Sequence, residues 1–91
     1  MTLSEAHAAL DEWYAGRHIG NLVFFRNHRD DMRAFIEHTV KVREMTDEQS
    51  RAFLDLFMTF DFSRAEVCRN FNGEPDRIKV VRSFQCKSTK A

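Results

Sequence analysis

The sequence predicts a mainly α protein, a compact bundle of four to five short helices, and three observations predict it. N-terminal capping boxes recur along the chain, apolar residues return at three- and four-residue spacing after them, and only one proline and three glycines interrupt 91 residues. A chain of this length makes one domain, 1–91, with a single modest core that buries roughly 60 to 65% of the surface its unfolded form exposes.

The first helix opens at Thr2, where Glu5 completes a capping box, and Leu3, Ala6, Leu10 and Trp13 follow at helical spacing until Gly16 supplies a stop. The second runs from about Arg29 to Glu44. Met32, Phe35, Ile36, Thr39 and Val40 line one of its faces, and Arg33, Glu37 and Lys41 form a charged ladder on another. Thr46 and Gln49 make the next box and open a helix from Asp47 to Asp61. The stretch 53–62, FLDLFMTFDF, holds four of the nine phenylalanines, and that helix carries all of it but Phe62. Phe53, Leu56, Phe57 and Phe60 share an arc of roughly 100 degrees that should face the core, while Leu54 and Met58 widen the apolar surface beyond what a core needs. Phe62 falls in the following turn, as a staple to the next helix.

Ser63 and Glu66 form a third box, opening a shorter helix that ends near Asn72-Gly73. Pro75 then suits a first helical position, and Ile78, Val81 and Phe84 repeat every third residue, so the last segment also reads as helix. The alternative is α+β. Residues 22–25 (LVFF) and 78–81 (IKVV) are rich in branched and aromatic side chains, and 20–26 with 77–85 would make a small two-stranded antiparallel sheet. The basic tail, 87–91, should fray.

Charge excludes some functions. The formal net charge is zero, but residues 46–74 carry six acids against three bases, and residues 75–91 carry five bases against one acid. An acidic middle and a basic end offer nucleic acid or an anionic membrane a local patch at most. The opening MTLSEAHAALDEWY has neither a basic leader nor an uninterrupted apolar run, so no targeting peptide is expected, and no apolar stretch is long enough to span a membrane. Cys68 and Cys86 are too few and too far apart for a disulfide framework, which suits reduced thiols in a cytoplasmic protein.

Catalytic and metal chemistry find no pattern. His7, His18, His28 and His38 lie ten or eleven residues apart, whereas a helical metal site needs two ligands on one face three or four apart. Cys68 sits between Val67 and Phe71 as a small apolar residue would, and the acid pairs Asp11-Glu12 and Asp30-Asp31 suit solvent or a helix start. There is no glycine-rich phosphate cradle and no Gly-x-Ser-x-Gly or Ser-x-x-Lys motif. The expectation is a non-enzyme with no cofactor, no metal and no small-molecule substrate.

Two functional readings remain. Excess aromatic surface suggests protein–protein interaction, by an adaptor or inhibitor that occupies a larger complex or self-associates, with Trp13, Tyr14, Leu54 and Met58 as the residues facing the partner. Small phage- or mobile-element-encoded inhibitors, anti-CRISPR proteins among them, are of this kind in size and character. The second reading rests on RAEVCRNFNGEPDRIKVVRSF, where Val67 and Phe71 flank a small Cys68, Asn72-Gly73-Glu74 makes a turn, and Ile78 and Val81 are spaced to pack back. This resembles a helix-turn-helix, and the resemblance implies a DNA-binding transcriptional regulator using residues 64–84, with Arg77, Lys79, Arg82, Ser83 and Lys87 turned to DNA.

Overall fold

Capping governs the first half of the chain. Thr2 Oγ1 accepts the Glu5 amide at 3.2 Å and the Glu5 carboxylate accepts the Thr2 amide at 2.8 Å, so two otherwise orphaned donors are satisfied at the start of α1, Leu3–Ala15. At its end the Gly16 amide reaches Glu12 O at 3.1 Å. The same reciprocal box at Thr46 and Gln49, at 3.0 and 3.1 Å, opens α3, Asp47–Phe57. Between them α2 spans Leu22–Val42, so the helix expected from Arg29 begins earlier and takes in the LVFF segment. In the computed structural model, residues 1–16 and 22–81 are described, apart from the side chains of 22–25.

Past α3 the expected bundle gives way to an α+β fold: three helices with a two-stranded antiparallel sheet packed against them. α3 stops at Phe57 instead of Asp61, and the Thr59 hydroxyl donates to Leu56 O at 2.7 Å in the turn that follows. The Ser63–Glu66 capping box does not form. Asp61 Oδ1 accepts both the Ser63 amide (3.1 Å) and the Ser63 hydroxyl (2.6 Å), closing a single 3-10 turn over Phe62–Arg64. Glu66 instead lies on β1, Ala65–Arg69, opposite Lys79 on β2, Pro75–Val80.

The hairpin follows from local chemistry of its own. Asn70 Oδ1 accepts the amides of Asn72 and Glu74 at 2.9 and 3.0 Å, and Gly73 takes φ +79°, a left-handed conformation that a side chain would strain. Pro75, expected to start a helix, is buried at the first position of β2, where its missing N–H removes no ladder bond from the strand interior. Along the strands, Ala65 and Val67 face Val80 and Ile78 on the inner side, while Glu66, Cys68, Arg77 and Lys79 alternate on the outer side. The register shifts between Cys68 and Arg69, leaving Asp76 as the extra residue.

This hairpin also overturns the helix-turn-helix reading in its geometry, because residues 65–80 contain no pair of helices. The alternative α+β expectation paired the wrong segments: β2 does fall within 77–85 in part, but its partner is 65–69, and Leu22 onward is α2. Residues 20, 21 and 82–85 of that alternative, and the tail 87–91, lie outside the described residues.

α1 packs on α2 and α3, and α2 lies across both strands. The core comprises Ala6, Leu10 and Tyr14 from α1, Met32 and Ile36 from α2, Leu54 and Phe57 from α3, then Phe62 and Ala65. Phe62 sits at the junction of helices and hairpin, with ring centroids 5.1 Å from both Trp13 and Phe57. Asp11 receives Arg33 at 2.6 Å and Arg29 at 3.4 Å, and Asp31 receives Arg69 at 2.9 Å, so one acid from each paired run serves as a clamp, Asp11 between α1 and α2 and Asp31 between α2 and β1.

Candidate protein-interaction groove

α2, the C-terminal end of α3 and β2 diverge from one another around an apolar groove of about 440 Å³. Phe35 comes from α2, Phe53, Leu56 and Phe57 from α3, Phe60 from the turn beyond it, and Ile78 from β2. Phe57 is buried at the base, its ring 5.8 Å from Phe35, 5.9 Å from Phe53 and 6.0 Å from Phe60, centre to centre. Leu56 and Phe60 stand open on the rim, 72% and 48% exposed. A second hollow of about 350 Å³ shares Phe35 and Phe53 and continues the groove toward His38, Arg43 and Asp76. One trench therefore has an apolar end and a polar end.

The arrangement corrects the expected orientation of α3. The arc expected to face the core included Leu56 and Phe60, and both are exposed; Leu54, expected at the surplus edge, is fully buried. α3 meets α1, which draws Leu54 and Phe57 inward, and the helix ends before Phe60 can join the same face.

Of the residues expected to face a partner, Tyr14 and Leu54 lie in the core, and Trp13 and Met58 are half-buried against it. None of the four lines the groove. Arg77 and Lys79, expected to face DNA, are exposed on the outer face of the hairpin, and Lys79 lies 3.6 Å from Glu66. Arg82, Ser83 and Lys87 lie outside the described residues. Phe71, expected to pack beside Cys68, projects fully into solvent from the hairpin tip.

His28 occupies a structural place. Its Nε2 lies 2.7 Å from Ala65 O, and since a carbonyl only accepts, Nε2 carries the proton. In the neutral ring Nδ1 then accepts from the Tyr14 hydroxyl at 2.6 Å. Burial pushes the Tyr14 hydroxyl well above its ordinary range, and the negative charge of Asp31 acts in the same direction. His7 pairs with Glu37 at 2.8 Å and His38 lines the trench, while His18 lies outside the described residues. Among the described residues no group of three or more His, Cys, Asp or Glu is placed to hold a metal, and no helix is long and apolar enough to cross a membrane. Cys68 is a free thiol.

Compared with protein-family models, with curated proteins and with solved structures, the chain finds no match in any of the three.

Proposed function

We propose that this chain is a small non-enzymatic protein-interaction module, an adaptor or inhibitor, and that it binds a larger protein complex through the groove between α2, α3 and β2. The observation that carries the reading is the open pair Leu56 and Phe60 on the rim of an apolar trench. Large apolar side chains clustered on a concave surface are what interfaces use as anchors, and leaving them in water costs about 1.5–3 kcal/mol each relative to burial. The free Cys68 thiol suits a reducing, cytoplasmic setting for such a module. An inhibitor of the phage- or mobile-element kind is one form it would take, on grounds of size and character.

Leu56→Ser with Phe60→Ser should keep the fold, because Leu56 is mostly solvated and Phe60 about half so. The double variant is expected to melt within a few degrees of the native protein and to lose the partner that the native protein retains from lysate of its source cells. If the variant retained that partner equally well, or the native protein ran as a monomer and captured nothing, the groove would not be the binding surface.

A further inference from the structure

The two edges of the hairpin differ in what lies beyond them. The ladder is set by the Val81 amide on Arg64 O at 2.9 Å and by the pairings Glu66 with Lys79 and Cys68 with Arg77. Antiparallel alternation then turns the backbone groups of Ala65 to the outer side of β1 and those of Ile78 and Val80 to the outer side of β2. On the β1 side α2 takes up the outward backbone, with His28 donating to Ala65 O, and Arg69 is tied to Asp31. On the β2 side, none of the described residues takes up the N–H and C=O groups of Ile78 and Val80.

Those same two residues border the groove. Ile78 lines it, and Val80, on the same face of the hairpin, is 76% exposed. On the opposite face Arg77 has no acid at ion-pair distance among the described residues, and Lys79 has only Glu66 at 3.6 Å. An open strand edge calls for an extended backbone. A second copy of β2 is a poor candidate on charge. Antiparallel self-pairing centred on Ile78 opposes Arg77 to Lys79 of the second copy, and centring on either base opposes it to itself.

We propose that β2 and the groove together bind an extended segment of a partner protein as a third strand. The segment alternates large apolar residues, which enter the groove beside Ile78, with acidic residues, which meet Arg77 and Lys79 on the other face. The inference rests on the groove being the interaction surface and specifies the chemistry of what enters it.

A displayed library of random linear peptides, selected on the full chain, tests it. Enriched peptides should alternate Asp or Glu with large apolar residues. Val80→Pro, which removes an outward N–H and leaves the β1 ladder alone, should weaken the best peptide by about tenfold or more. N-methylation of alternate amides in that peptide should do the same with the native protein, independently of any effect of the proline on folding. Arg77→Glu should weaken binding and flatten its dependence on salt. No enrichment, apolar residues at helical spacing, basic peptides, or a peptide indifferent to both Val80→Pro and N-methylation would overturn the third strand. Binding that survives those two changes but is lost in Phe60→Ser sinks only the strand pairing; binding that ignores Phe60→Ser sinks the groove itself.

Discussion

Phe62→Ala is expected to lower the unfolding free energy by about 3–5 kcal/mol, much of the total for a domain this small. Among the described residues Phe62 is the largest side chain with no exposed surface, and its ring meets Trp13 edge-on and stacks on Tyr14 at 6.2 Å between centroids. Removing it opens a void beside Trp13, Tyr14 and Phe57, and a close-packed interior closes such a void only in part. Urea unfolding followed by Trp13 fluorescence and by far-ultraviolet circular dichroism measures the change. A loss under about 1 kcal/mol would mean that the ring is not a core residue. Phe71→Ala is the control: at the solvated hairpin tip it should shift stability by no more than about 0.5 kcal/mol.

His28→Leu is expected to cost about 2–4 kcal/mol, since it strips a buried partner from both the Tyr14 hydroxyl and the Ala65 carbonyl. Tyr14→Phe should cost about 1–2 kcal/mol, because it removes only the hydroxyl. The same hydroxyl sets an alkaline limit. Its proton is held more tightly in the folded than in the unfolded protein, so its contribution is complete below the ordinary tyrosine value near 10 and is lost as pH rises above it. Tyr14 is the sole tyrosine, so absorbance near the phenolate band reports it alone. Phenolate should appear together with unfolding, and Tyr14→Phe should lose less stability than the native protein across that alkaline range. Phenolate forming in the folded protein near the ordinary value would contradict the burial.

Much of the helical half was legible because its determinants are local. A capping box closes within four residues, and the boxes at Thr2 and Thr46 form as their spacing implies. The hairpin half was misread because two local patterns compete there. Ile78, Val81 and Phe84 recur every third residue, yet Arg77-Ile78-Lys79-Val80 also alternates with period two, and the alternation is the pattern the fold uses. What decides between them is Asp61 taking the Ser63 donors and Asn70 organising the tip, together with the remote hold of His28 on Ala65. Spacing of that kind is visible in sequence only once the strand is suspected. The groove itself was not legible. The excess of phenylalanine on and after α3 falls on the segment that lines it, but angular spacing gives the relative positions of Phe53, Leu56, Phe57 and Phe60 and not which of them turns inward. The side that becomes the interior is chosen by α1, a partner remote in sequence.

The walls of the groove belong to separate parts of the chain, Ile78 to the hairpin and the rest to the helices and the turn after α3. Whatever fills it must bridge the two, so occupancy and the docking of the hairpin onto the helices are thermodynamically linked. A bound segment would then act as a clamp across the joint: amide exchange in 65–80 should slow on binding, and slow further as the ligand concentration rises above its dissociation constant, while exchange at the start of α1 changes least.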